Sequence, residues 1–281
     1  MLVAKGPLLQ RYAKGRITKL HEVERGVVVV AVADPRSGTL FQTRDAGENA
    51  IWRLSAGKRS PIVRVAELHD AGTIAGKPWV IFSRCNRPPD DEPFGSVSVL
   101  ELGSSARRNV TDACRVEFNV TRVSVGGDVL AVSAHADLTE TFRFYDINGG
   151  ELARPNPSKD LPYNEPPLLI QAVLSPDGKT LAYLEGPDTS GVSGDTDTRV
   201  GGWVLVVQDQ RSGRNVVRVR LAPPAGERDF RDFVRLDFDG RWAVLSEAGD
   251  RPVRVVDTSD ARPREVALSK VRGVASFEDR R

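Results

Sequence analysis

Short apolar runs separated by turn-forming residues make up most of the chain. In Leu174–Gly186 (LSPDGKTLAYLEG) two extended runs flank Ser175-Pro176-Asp177-Gly178. The pattern predicts a β-turn there, because proline presets φ and glycine accepts positive φ. A strand over Thr180–Leu184 is followed by a loop, a strand over Trp203–Gln208, a polar turn and a third strand over Val216–Leu221. The same order recurs downstream in Leu236–Ala248, Pro252–Asp257 and Arg264–Leu268. Upstream it recurs in Val123–His135, Thr141–Ile147 and the Asn148-Gly149-Gly150 turn. Weaker copies are KPWVIFSRC, SVSVLELGSSARRNV and the N-terminal VVVVAVADPRSGTLFQTRD.

Gly127, Gly178 and Gly240 mark equivalent turns in three successive copies. The extra length between them falls in insertions at Asn156–Pro167 and Asp188–Gly202. Without these, each unit is about 40–45 residues, the period of a four-stranded propeller blade. Five units are read, over 27–68, 69–113, 115–155, 167–221 and 231–268. Val271–Phe277 reads as a lone first strand, and Leu8–Tyr12 and Arg16–Val23 as two more at the other terminus. The expected fold is all-β: a single propeller domain over 1–281, built of four-stranded antiparallel blades. Six blades are expected, the last closed by both termini; seven blades or incomplete closure are the alternatives.

The segment SPDGKTLAY (Ser175–Tyr183) resembles the repeat signature of TolB-type, WD-like β-propellers. VGGDVLAVS and FDGRWAVLS match it without the Ser-Pro. The resemblance implies a propeller and, from the TolB protein itself, partner binding in the cell envelope. It does not imply an activity, since the fold hosts many roles. The same repeat builds the propeller of prolyl-oligopeptidase-like enzymes, whose chemistry sits on a hydrolase domain with a GxSxG elbow. This chain has no such motif; its nearest run is Gly191-Val-Ser-Gly194.

Composition narrows the classes further. A net charge of +2 on 281 residues excludes a nucleic-acid binder that works by bulk electrostatics. Forty per cent hydrophobic residues exclude a disordered chain. Val27–Ala33 is the longest apolar run, far short of the roughly 20 residues a helical membrane span needs. No secretory signal is legible at the N-terminus. The chain as written reads as cytoplasmic and monomeric, or as extracytoplasmic if a leader lies upstream. The 32 Arg against 8 Lys are given no functional weight.

Candidate chemistry is sparse. The three histidines, His21, His69 and His135, fall on unrelated blades and read as solvated. No catalytic residue, metal ligand set or cofactor is expected. The paired charges of Glu227–Arg241 (ERDFRDFVRLDFDGR) read as a solvated, salt-bridged approach to a first strand. Three B–C loops share one face of the ring: Asn86–Gly95, Ala136–Glu140 and the insertion at 188–202. They place Asp90, Asp91 and Glu92 beside Asp188, Asp195 and Asp197. This acidic face is the expected binding face for a protein or other ligand. An enzyme of hydrolase or lactonase type, using carboxylates at the axial channel, is the alternative. The two cysteines read as buried reduced thiols or as one disulfide: Cys85 closes strand B of its blade and Cys114 follows strand D, so the two can meet.

Overall fold

The computed structural model describes residues 1–34, 36, 38–86, 94–104, 106–115, 118–136, 139–158, 168–186, 203–221, 233–247, 251–259 and 264–278. Every regular element among them is a strand. The N-terminus supplies β1 (Leu2–Lys5), β2 (Leu8–Ala13) and β3 (Arg16–Glu22). Blade 1 is β4 (Val27–Asp34), β5 (Gly38–Asp45), β6 (Glu48–Ser55) and β7 (Lys58–Arg64). Blade 2 is β8 (Glu67–Ile74), β9 (Lys77–Asn86), β10 (Phe94–Glu101) and β11 (Arg107–Asp112). Blade 3 holds β12 (Cys114–Arg115), β13 (Phe118–Gly126), β14 (Val129–Ala136) and β15 (Thr139–Tyr145). Blade 4 is β16 (Leu168–Leu174), β17 (Thr180–Gly186), β18 (Val204–Asp209) and β19 (Asn215–Arg220). Blade 5 is β20 (Phe233–Phe238), β21 (Trp242–Glu247), β22 (Pro252–Asp257) and β23 (Arg264–Arg272). The last strand, β24 (Val274–Ser276), pairs with β1.

Six four-stranded antiparallel sheets therefore form a six-bladed propeller, and the sixth blade is built from both termini. Its order is β24-β1-β2-β3: one inner strand from the C-terminus and three outer strands from the N-terminus. The sequence reading expects two N-terminal strands; β1 is the third, too short to show a period of its own.

Tight turns explain much of this regularity. Lys14-Gly15, Ala46-Gly47, Ala56-Gly57 and Ala75-Gly76 all have positive φ at both positions. That is the type I′ geometry whose twist suits two-residue hairpins. The repeat glycines Gly127, Gly178 and Gly240 also have positive φ, of 56°, 69° and 96°. They end the inner hairpins of blades 3, 4 and 5, where Gly127 N–H donates to Pro176 O of the next blade.

Blade 3 reaches four strands differently, with the short β12 paired to the start of β13. Beyond β15 an outer strand is reduced to a single bridge between Tyr145 and Glu151. Irregular chain covers the exposed edge of β15 instead: Leu152 N–H donates to Phe144 O, Asn156 Nδ2 donates to Phe142 O, and Phe142 N–H donates to Ser158 Oγ. The edge is blunted without a strand.

The described core is six seams rather than one interior, because each sheet is apolar on both faces. Phe41 and Leu9 pack between blades 6 and 1, Ile51 and Phe82 between 1 and 2, Trp79 and Val123 between 2 and 3. Phe142 and Tyr183 fill the seam of blades 3 and 4, Leu205 and Phe238 that of 4 and 5, and Val253 and Val3 that of 5 and 6.

A ring of side-chain to backbone hydrogen bonds stitches the seams near the axis. Gln42 Oε1 accepts from Leu68 N–H, Asp70 Oδ2 from Val125 N–H and Ser124 Oγ from Leu174 N–H. Gln171 Oε1 accepts from Leu236 N–H, Asp237 Oδ2 from Phe277 N–H, and Ser276 Oγ donates to Ala31 O. Each bond runs from one blade to the next, and the last returns to blade 1.

Candidate functional site

One end of the axis opens into a cavity of about 200 Å³. All six blades line it. Its walls come from the starts of the inner strands and from the end of β5: Val29 and Val30, Gln42 and Arg44, Glu67 to His69, Thr121 and Arg122, Gln171, Arg235, and Val274.

The same local device recurs in five of the six inner strands. Pairing shifts register between Val28 and Val30, Leu68 and Asp70, Val120 and Arg122, Ile170 and Val173, and Phe233 and Arg235. A bulge adds a residue, bends the strand and re-aims side chains. Here the bulged positions Val29, His69, Thr121 and Gln171 all line the cavity. Gln171 sits in the left-handed region at φ 58°, an uncommon conformation for a side chain of its length.

Below the opening, charged side chains cross the axis. Arg122 of blade 3 pairs with Asp237 of blade 5 at 3.6 Å. Arg235 of blade 5 donates from Nη2 to the His69 carbonyl of blade 2 at 3.3 Å. Arg122, Arg235 and Asp237 are all buried, the last completely. Asp70, also buried, accepts from Ala71 N–H and Val125 N–H. Buried charges are stable where paired and hydrogen-bonded. Here Arg122 is paired with Asp237, while Arg122 Nε and Nη2 and Arg235 Nε make no hydrogen bond among the described residues.

His69 Nε2 lies 2.9 Å from Ser83 Oγ. Burial, then the nearby Arg122 and Arg235 guanidinium groups, push its pKa down to about 3. The ring is neutral at neutral pH. At the rim stand Glu67 and Arg44, the latter donating from Nε to Asn49 Oδ1.

Two sequence expectations are corrected. His69 is not a solvated loop residue but a buried cavity residue. Arg235 and Asp237, read as part of a solvated segment, face the axial interior. The error has one cause. An inner strand is covered on both faces, so alternation there separates two buried seams rather than core from solvent.

Asp90, Asp91, Glu92, Asp188, Asp195 and Asp197 lie outside the described residues, as does the side chain of His135. The strands flanking their loops are described. β9, β14 and β17 end where β8, β13 and β16 begin, which is the cavity end of the ring. Among the described residues no group of three or more His, Cys, Asp or Glu is placed to hold a metal ion, and no helix is long and apolar enough to cross a membrane. Cys85 is disulfide-bonded.

No protein-family profile matches the chain, and no curated protein matches it either. Solved structures do match in fold. A chain of a nidogen/laminin complex aligns over 99% of this chain and 98% of its own, with a TM-score of 0.60 and 12% identity. An oligogalacturonate lyase from Vibrio parahaemolyticus aligns over 100% and 77%, with a TM-score of 0.58 and 10% identity. A puromycin-hydrolyzing peptidase from Mycobacterium tuberculosis aligns over 96% of this chain and 43% of its own, with a TM-score of 0.54 and 18% identity. At these identities the likeness is one of propeller fold.

Proposed function

We propose that this propeller is a binding module that takes a polar group of a protein or other ligand into the axial cavity. The B–C loops that start from the same end, with Asp90, Asp91, Glu92, Asp188, Asp195 and Asp197, supply the surrounding contacts. The observation that carries the reading is the bulge repeated at one level in five inner strands. Bulges cost regular pairing, and ones that surround a cavity are a feature of sites. The lining also suits recognition: convergent donors and acceptors from Gln171, Thr121, Arg122 and Arg235 sit on rigid strands. The disulfide at Cys85 supports a working place in an oxidising compartment.

The test is to fill the cavity. Thr121→Trp should abolish capture of the native partner while leaving the thermal transition in place. Thr18→Trp, on the outer wall, should leave capture intact. Equal capture by both variants refutes the reading.

One observation favours an enzyme. His69 of the cavity wall lies within hydrogen-bond distance of the buried Ser83, Glu67 stands at the rim, and two of the similar folds belong to a lyase and a peptidase. Against it, a histidine titrating near 3 is a weak base at neutral pH. Any hydrolysis of ester or glycoside substrates that Ser83→Ala abolishes would establish the enzyme instead.

A further inference from the structure

The near-neutral net charge hides a strong separation. The stretch from Met1 to Ala66 carries 12 Lys and Arg against 5 Asp and Glu, a net of +7, so the rest of the chain carries −5. This stretch forms blade 1 and the three outer strands of blade 6, which are neighbours in the ring. Blades 3 and 4, across the ring, span residues 114–230 and carry 12 cations against 16 carboxylates.

The excess is also polarised along the axis. At the cavity end of this stretch, five cations face Glu22, Glu24, Asp45 and Glu48. At the opposite end seven cations stand with one carboxylate of the stretch, Asp34. Glu278 enters from the C-terminal segment but is held by Arg11 and the Met1 ammonium. The most prominent cations sit at the tips of two adjacent hairpins. Lys14 and Arg16 flank the β2–β3 turn, and Lys58 and Arg59 follow the β6–β7 turn. All four are exposed. The Arg59 guanidinium itself lies over the Trp52 ring at 4.5 Å. Ile17, 42% exposed, stands beside Arg16 and opposite Tyr12.

Protection of sheet edges explains cations on outer strands in general, and β11, β19 and β23 carry them too. It does not explain why these four lack carboxylates. Several exposed cations elsewhere are paired: Arg218 with Glu185 at 2.7 Å, Lys77 with Glu101 at 3.1 Å, Arg241 with Asp257 at 3.1 Å. Among the described residues no ion pair joins Lys14, Arg16, Lys58 or Arg59 to a carboxylate.

We propose that the end of blades 6 and 1 opposite the cavity is a docking surface for an anionic lipid bilayer. Turn tips of neighbouring blades at one end of a ring meet a flat surface together, whereas a linear polyanion needs a groove to track. A basic tip carrying an exposed Ile17 suits an interface with charged headgroups over apolar chains. The cavity end then faces away from the membrane, open to its ligand.

Co-sedimentation of the intact chain tests this, with vesicles of phosphatidylcholine alone and of phosphatidylcholine mixed with phosphatidylglycerol. We expect binding to the anionic vesicles only, weakening steeply with salt. Lys14, Arg16, Lys58 and Arg59 changed together to Gln should lower partitioning at least about a hundredfold, from roughly fivefold per cation. Lys5, Lys19, Arg25 and Arg64 changed together to Gln remove the same charge from the cavity end and should lower it far less. The proposal is overturned by equal binding to neutral vesicles or by equal loss in the two variants. Binding of heparin or duplex DNA without vesicle binding overturns it too. Circular dichroism of each variant guards against unfolding; a variant that unfolds is replaced by its single substitutions.

Discussion

The Ser276 hydroxyl donates to the carbonyl of Ala31, 245 residues earlier in the chain, and so completes the circle of bonds around the axis. Both groups are buried between blades 6 and 1. Ser276→Ala should destabilise the protein by about 1–2 kcal/mol, the cost of leaving a buried acceptor without this donor. Urea denaturation monitored by tryptophan fluorescence measures it, and an unchanged midpoint would show that the closing bond contributes nothing.

Arg122 and Asp237 should behave as a unit. Asp237→Asn leaves a buried guanidinium without its counter-charge and should cost on the order of 3–5 kcal/mol. Arg122→Met combined with Asp237→Leu removes both charges and should recover much of that loss. A double-mutant cycle with no coupling would place the two groups in separate roles.

His69 makes stability fall in mild acid. Its folded pKa of about 3 lies below the ordinary 6.5, so the unfolded chain binds the proton more readily. The neutral ring is fully accommodated above pH 6.5, and stability is lost progressively as pH falls from 6.5 towards 3. The loss by pH 5 should be about 2 kcal/mol. His69→Gln should flatten this part of the profile, and parallel urea midpoints at pH 7, 6 and 5 decide it.

Much of the architecture was readable because turns carry distinctive residues. Ser175-Pro176-Asp177-Gly178 and Asp239-Gly240 announced inner hairpins, and their recurrence revealed the blade. Blades 6 and 1 turn instead on Lys14-Gly15, Ala46-Gly47 and Ala56-Gly57, where only the glycine signals the bend. Those copies looked weak although their geometry is regular. The cavity was hidden for a different reason. Its polar residues come singly from separate blades, so no local motif unites His69, Arg122, Gln171 and Arg235. Each bulge also inserts a residue that breaks the alternation a reader follows.

Gly126 shows how closely the inner turns of blades 3 and 4 approach. A Cβ there would lie 2.1 Å from Ser175 O and 2.7 Å from Leu174 Cβ. Gly126→Ala must push two blades apart, and should cost at least about 1–3 kcal/mol. Gly6→Ala has open space around it and tests backbone strain alone, at φ 54°. The Gly126 variant should show the larger drop in melting temperature.

Pairing of Cys85 with Cys114, the other cysteine in the sequence, is a prediction to be checked by thiol counting. Denatured, unreduced protein should titrate with no free thiol, and reduction should lower stability by about 3 kcal/mol for a loop of this length. Two reactive thiols before reduction would rule the bond out.

The pairing of β24 with β1 also sets how the ring responds to tension. Leu2 stands opposite Ser276, and Ala4 opposite Val274, so both strands present their outer ends at the same point. Force applied between Met1 and Phe277 would peel these backbone bonds apart one after another instead of loading them together. The seam that completes the circle is therefore its mechanical zip. A handle on β15 and another on β23 would pull across several intact sheets and meet much greater resistance.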